Sequence, residues 1–193
     1  MAETLDNGEH GLYEQLKDGH PGAIEELFTR YFRQVYSVVF HAVGQDRSAA
    51  EDVTQDTFIS AARSAVKYKG KSAPYTWLLG IAHHKIADHY RRRGKQRRYE
   101  AFSLESSNST IDNIPDGSDP LHHRLESAEA NETISQALAK LPYHYREVLI
   151  YKYVEEMPVK QISQIMERSP KSIEALLARA RNTLKSEFEK SEG

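Results

Sequence analysis

Nine histidines occur in this 193-residue chain, and five of them fall at His83-His84, His89 and His122-His123. His84 and Asp88 stand at the i, i+4 spacing that puts two metal ligands on one helix face. No third ligand follows at a useful step, and adjacent histidines point to different sides of a helix, so this spacing does not build a metal site. Cysteine is absent, which removes thiol catalysis, zinc–thiolate sites and disulfides. No Gly-rich phosphate loop and no nucleophile elbow occurs. The remaining chemistry is electrostatic. Lys67, Lys69, Lys71 and the run Arg91-Arg92-Arg93 are interleaved with Tyr68, Tyr75 and Trp77. Cations that follow a phosphate backbone, beside rings that stack on unpaired bases, describe a single-strand nucleic-acid surface, and stacking contributes about 1–3 kcal/mol per base. Tyr68 and Tyr75 are the expected stacking rings, and Trp77 is expected in the core.

The charge distribution supports the same chemistry. A net charge of −2 divides into −7 over residues 1–60, +10 over 61–99, −7 over 100–135 and +2 over 136–193. An ordinary solvated helix face mixes both signs, whereas a one-sided basic block is the footprint of a polyanion partner. No apolar run approaches the roughly 18–20 residues of a membrane helix, and the acidic N-terminus lacks a signal-peptide pattern. The expectation is a cytoplasmic protein with no membrane insertion, no cofactor and no enzymatic activity.

The elements that must position these groups all read as helices. From Ala23 to Val43, Ile24, Leu27, Phe28, Tyr31, Val35, Val38, Val39 and Ala42 recur at three- and four-residue steps, and Gly44 ends the run. Ser48, with Glu51 completing a capping box, predicts a second helix to about Tyr68. Its apolar stripe is Ala50, Val53, Thr57, Phe58, Ala61, Ala62 and Ala65. Asp52, Gln55, Asp56 and Ile59 share its other face, and the carboxylates there suit a protein partner that presents basic groups. A turn-rich loop, Lys67 to Pro74, leads into a third helix from about Tyr75 to Arg93, with Trp77, Leu78, Ile81, Ala82 and Ile86 inward. Arginines at its C-terminus suit the helix dipole, but the run continues through Lys95, Arg97 and Arg98 beyond what capping requires.

Periodicity is lost over 100–125, where Ser, Asn, Asp, Gly and Pro dominate in a linker composition. The expected organisation is therefore an N-terminal tail (1–22), a helical domain (23–98), a flexible acidic linker (99–125) and a second helical domain (126–193). In the second domain, one helix ends near Leu141-Pro142 and another spans about Tyr143 to Tyr153. Val159–Met166 and Pro170–Phe188 then have helix-turn-helix proportions, with Ser169 as N-cap. Ser169, Lys171, Ser172, Glu174, Ala175 and Arg179 are assigned to the outer face of the longer helix, whose amino-terminal half enters a major groove in such motifs. Lys171 and Ser172 suit phosphate contacts, and Arg179 suits phosphate or a guanine edge. The fold class expected is all-α.

Four motifs in this order resemble the bacterial extracytoplasmic-function (ECF) sigma factors. The resemblance covers about residues 23–94 and 126–188. Ala50-Glu-Asp-Val-Thr-Gln-Asp-Thr-Phe58 looks like the family's core-polymerase-binding helix. Pro74-Tyr-Thr-Trp-Leu-Leu-Gly-Ile-Ala82 with Asp88-His-Tyr-Arg-Arg92 is similar to its promoter-melting and minus-ten-reading segment. Leu141-Pro-Tyr-His-Tyr-Arg-Glu-Val148 and Ser172-Ile-Glu-Ala-Leu-Leu-Ala-Arg-Ala-Arg181 resemble its minus-thirty-five-reading domain.

The resemblance implies partners and roles. Core RNA polymerase would be met through its β′ clamp helices by Asp52, Gln55, Asp56 and Ile59, and through its β flap. Promoter DNA would be held at minus ten by Lys67, Tyr68, Lys69, Lys71, Tyr75, His84, Lys85, Arg91, Arg92 and Arg93. The upstream element would be read by the outer face around Arg179. The acidic linker would thread toward the RNA exit path, and an anti-sigma factor is an expected partner. His84 stands where the family often has asparagine, Glu174 where a base is frequent, and Ala178 where an aromatic is frequent. The few exposed aromatics at the loop imply a weak melter that needs a near-ideal promoter. The competing readings are a stand-alone helix-turn-helix regulator and a decoy that binds polymerase without DNA.

Overall fold

The computed structural model describes residues 7–20, 22–92 and 136–189. Arg93, Lys95, Arg97, Arg98 and the expected linker 99–125 lie outside the described residues. Seven α-helices are named here: α1 Asn7–Lys17, α2 Ala23–Ala42, α3 Arg47–Ser64, α4 Pro74–Arg92, α5 Tyr143–Leu149, α6 Val159–Ile165 and α7 Pro170–Glu189. A short 3₁₀ turn, Ala65–Lys67, joins α3 to the basic loop, and residues 136–140 are also helical. No strand occurs among the described residues, so the all-α expectation holds.

Helix α2 forms because one stripe of its surface is apolar. Leu27, Tyr31, Val35, Val38, Val39 and Ala42 are all buried along it, and each large side chain so placed contributes about 1.5–3 kcal/mol. Helix α3 alternates in pairs: Val53, Thr54, Thr57 and Phe58 are buried, while Asp52, Gln55, Asp56 and Ile59 face solvent. Apart from Phe58 its buried residues are small, and α3 lies against both α2 and α4. Helix α4 completes this unit with Leu78, Leu79, Ala82, Ile86 and Tyr90 inward.

Two local expectations are corrected. The cap of α3 is Asp46, whose Oδ1 accepts from the Ala49 amide at 3.0 Å. Asp46 takes an extended backbone conformation just before Arg47, the geometry a capping side chain needs, so Ser48 is already inside the first turn. The supposed N-terminal tail contains α1, with Leu12 and Leu16 buried. It packs on α2, on α4 and on the 3₁₀ turn. Leu12 and Leu16 lie one helical turn apart, which suffices once a groove exists to receive them.

In the second unit, α5 continues into a π turn over Ile150–Val154, where the Glu155 amide bonds the Ile150 carbonyl at 3.0 Å. That turn carries Tyr151, which is fully buried. Helices α6 and α7 pack on one another, and α7 also packs on α5. Ser169 Oγ accepts from the Ser172 amide at 3.2 Å and so caps α7 as expected. The sequence suggested two domains joined only by a tether. The described parts instead pack together, α2 against α5 and the π turn, and α4 against α6.

Candidate functional site

The acidic face of α3 borders an aromatic ladder on α2. Phe28, Phe32, Tyr36 and Phe40 follow at i+4 steps, with successive ring centroids 4.8, 6.2 and 6.1 Å apart. Phe58 of α3 leans on this ladder, 5.0 Å from Phe28 and 6.0 Å from Phe32. Phe28 is 47% exposed, Phe32 37% and Ile59 42%. With Glu51, Asp52 and Gln55 they line an open groove between α2 and α3. Phe28, expected among the inward residues of α2, therefore belongs to the surface. The signal was present in the sequence: Phe28, Phe32 and Tyr36 make a second apolar row beside the core stripe, wider than burial in one seam requires. Contiguous exposed apolar surface with a polar rim marks a protein-docking site. Carboxylates at such a rim suit a cationic partner.

The basic loop has a definite shape. Lys67, Lys69 and Lys71 are exposed, whereas Tyr68 between them is buried. The Tyr68 hydroxyl donates to the Ser72 carbonyl at 2.7 Å, and its ring lies 5.1 Å from Trp77. Tyr68 is thus a plug beneath the loop, and its ring is not available to stack on a base in this conformation. Trp77, expected in the core, is half-buried against it. Tyr75 is also occupied: its ring stacks 5.1 Å from Tyr31, and its hydroxyl donates to Glu155 Oε2 at 2.6 Å. Burial, with that carboxylate beside it, pushes the Tyr75 phenol far above its ordinary pKa. Further along α4, Lys85 is half-buried and Arg91 and Arg92 are exposed, with Asp88 paired to Arg91.

The second cationic face is on α7. Ser169, Lys171 and Glu174 are exposed, and Ser172, Ala175 and Arg179 are half-buried on the same side. Ile173, Leu176, Leu177, Ala180 and Leu184 face the core. Arg179 Nε donates to the Ala175 carbonyl at 3.2 Å, which lays the side chain back along the helix. Lys171, Ser172, Glu174, Ala175 and Arg179 thus lie outside the buried stripe of α7, with Ser169 capping its start.

That contact between units was not anticipated. The buried carboxylate of Glu147 lies 2.9 Å from His83 Nδ1 of α4 and accepts from the Tyr151 hydroxyl at 2.8 Å. Burial alone would lower the His83 pKa, but the Glu147 charge and hydrogen bond outweigh it, and the net shift is upward. His84, one residue on, is exposed and lies 3.4 Å from Glu167. Arg146 is buried and reaches the Ala42 carbonyl at 3.0 Å, while also bonding the Leu138, Ala139 and Leu141 carbonyls. Tyr90 stacks on Tyr143 at 4.6 Å, with ring planes 9° apart. Tyr90, Arg146 and Glu147 are in the sequence motifs and His83 directly follows one, but spacing within one chain does not say that two motifs meet.

Comparison with known proteins places the chain in a family. The Sigma-70 region 2 family model matches residues 27–96, and the Sigma-70 region 4 model matches residues 131–184. The chain is 30% identical over 172 residues to RNA polymerase sigma factor YlaC of Bacillus subtilis, an alignment covering 89% of this chain and 95% of that one. It is 29% identical to ECF RNA polymerase sigma factor SigM of the same organism, over 84% of this chain and 93% of that one. The solved structure of CnrH in complex with the cytosolic domain of CnrY shares the fold, with a TM-score of 0.65 at 21% identity, covering 95% of this chain and 99% of that one.

Proposed function

The chain belongs to the extracytoplasmic-function sigma factors of RNA polymerase and directs transcription initiation, and on that premise we propose which of its residues do the work. The observation that carries this reading is the segregation of surfaces: an acidic, aromatic groove on α2 and α3, a lysine loop before α4, and a separate face on α7 that presents Lys171 and Arg179. A protein that only bound DNA would have no use for the first.

The groove is the dock for core polymerase. Asp52, Gln55, Asp56 and Ile59 would meet the β′ clamp helices, with Phe28 and Phe32 supplying apolar contact. Carboxylates at the rim steer a basic partner and set register, and the rings give most of the affinity. Lys67, Lys69, Lys71, Lys85, Arg91 and Arg92 would hold the unpaired minus-ten strand by its phosphates. Ser169, Lys171, Ser172, Glu174, Ala175 and Arg179 would contact the upstream element in the major groove. Opening would be driven by capture of unpaired bases, with nucleotide chemistry left to the polymerase. Tyr75 and His84 are engaged by the second unit, at Glu155 and Glu167, so their use at minus ten requires the units to part. The sigma factor RpoE of Bartonella quintana, which shares the fold with a TM-score of 0.61, is seen in complex with the anti-sigma factor NepR, which supports an anti-sigma partner for this chain.

Run-off transcription with purified core enzyme tests the division of labour. Lys69→Ala with Lys71→Ala should lower open-complex formation while leaving upstream-element binding intact, and Arg179→Ala should do the reverse. Equal losses in both assays from either change would overturn the assignment.

A further inference from the structure

Helix α1 lies wholly outside both matched family segments. Its folding is specified: Leu12 and Leu16 are buried, and the helix packs on α2, on α4 and on the 3₁₀ turn that opens the basic loop. From this anchored position Tyr13 reaches the loop itself. Its hydroxyl donates to the Gly70 carbonyl at 3.0 Å, across 57 residues of sequence. Its ring meets Tyr68 edge-on, with centroids 5.9 Å apart.

The loop is built around these ties. The sequence Lys67-Tyr-Lys-Gly-Lys71 alternates, and so does its placement: the three lysines are exposed, Tyr68 is buried and Gly70 is half-buried. Tyr68 is fixed from below by the Ser72 carbonyl, and Gly70 is fixed by Tyr13. Gly70 has φ +65, and a Cβ there would lie 2.2 Å from the Tyr13 hydroxyl. Glycine is thus required twice, for the left-handed backbone and for the approach of Tyr13. A loop held at both inward positions has few ways to move its outward ones. Three ammonium groups kept on the solvent side would otherwise disperse by mutual repulsion and chain entropy.

We propose that α1 is a working part of the strand-capturing surface, with Tyr13 the positioning residue that holds the Lys67–Lys71 loop in its DNA-binding shape. The ligand is the sugar–phosphate backbone of the unpaired minus-ten strand, so this inference rests on the proposed function above. Tyr13 touches no DNA in this scheme. It acts through the lysines.

The test uses the full chain bound to core polymerase. Tyr13→Phe removes the hydroxyl and keeps the ring on Tyr68. It should lower permanganate reactivity of the melted region, and affinity for a single-stranded minus-ten oligonucleotide, about 5- to 10-fold. Core association and binding of a duplex upstream element should stay within about twofold of wild type, with the thermal midpoint nearly unchanged. Gly70→Ala approaches the same contact from the loop side and should give the same loss of strand capture, together with a lowered thermal midpoint from its left-handed backbone. A positioning role also predicts coupling: in a Lys69→Ala, Lys71→Ala background, Tyr13→Phe should have little further effect on the oligonucleotide. Wild-type melting by the Tyr13→Phe holoenzyme would overturn the proposal. So would a fully additive loss in that double-alanine background, or an equal fall in core association. A wild-type chain that supports no open complex at all would instead refute the function assigned to the loop, whatever Tyr13 does.

Discussion

The Arg146 guanidinium of α5 donates to the Ala42 carbonyl at 3.0 Å, so a side chain from the second unit caps the last turn of α2 in the first. The carbonyls at the end of a helix lack intrahelical partners and carry its negative pole, and a buried cation answers both. The approach depends on Gly44, which has φ +80 and whose added Cβ would lie 2.8 Å from Arg146 Nη1. Gly44→Ala should therefore weaken the contact between units by crowding Arg146, and should separately cost the first unit about 1–2 kcal/mol for the left-handed backbone. Small-angle scattering of the free chain should show a larger radius of gyration for the variant. An unchanged profile would count against Arg146 as a clasp.

The His83–Glu147 pair predicts that this contact depends on pH. With the units together, the His83 pKa is raised; apart, it returns to about 6.5. The closed arrangement thus gains from protonation: its extra stability is fully present below about pH 6.5 and is lost as pH rises through the raised value. Glu147, itself bonded by the Tyr151 hydroxyl, faces the imidazole from the second unit, Arg168 and Glu167 act on it at longer range, and His84 lies beside it. A fluorescence distance reporter between the units should register opening as the solution is made more basic. His83→Gln should flatten that dependence, and persistence of the full dependence in His83→Gln would place the titrating group elsewhere.

His144 carries the opposite sign. Burial, aided by Arg168 and Arg179, lowers its pKa to about 4, so the folded second unit holds it neutral. Its contribution is present above about pH 6.5 and is lost as pH falls toward 4, up to on the order of 3 kcal/mol. Thermal unfolding followed from pH 7 to pH 4 should drop more steeply for wild type than for His144→Phe. Parallel curves would contradict this.

The exposed rings of the groove separate docking from folding. Phe32 is already 37% exposed, so Phe32→Ala should cost the fold less than a core aromatic would. At an interface, loss of a central aromatic costs about 2 kcal/mol or more, roughly a 30-fold drop in affinity. Titration of labelled core polymerase should show that fall for Phe32→Ala and Ile59→Arg, with the helical circular-dichroism signal unchanged. Affinity within twofold of wild type would remove these rings from the dock.

The helical class, the acidic face of α3 and the outer face of α7 were legible because each rests on period within one element. Phe28 was misplaced because its row, with Phe32 and Tyr36, adjoins the core stripe and shares its period. Helix α1 was missed since Gly8 and Gly11 weaken its helix propensity, and only Leu12 and Leu16 signal its buried side. Tyr68 and Tyr75 looked like free rings beside lysines, yet both hydroxyls found partners, one at Ser72 and one at Glu155. Those contacts are tertiary. No spacing rule links position 13 to 70, 83 to 147 or 146 to 42.

Charge reversal on α3 tests the central claim most directly. Asp52 and Asp56 are exposed and neither sits in the core, so Asp52→Lys with Asp56→Lys leaves the fold in place. Size-exclusion chromatography of the full chain with core polymerase should show co-elution for wild type and its loss for the double variant, while duplex binding through α7 is retained. Co-elution of the reversed variant at wild-type stoichiometry and salt resistance would contradict the account.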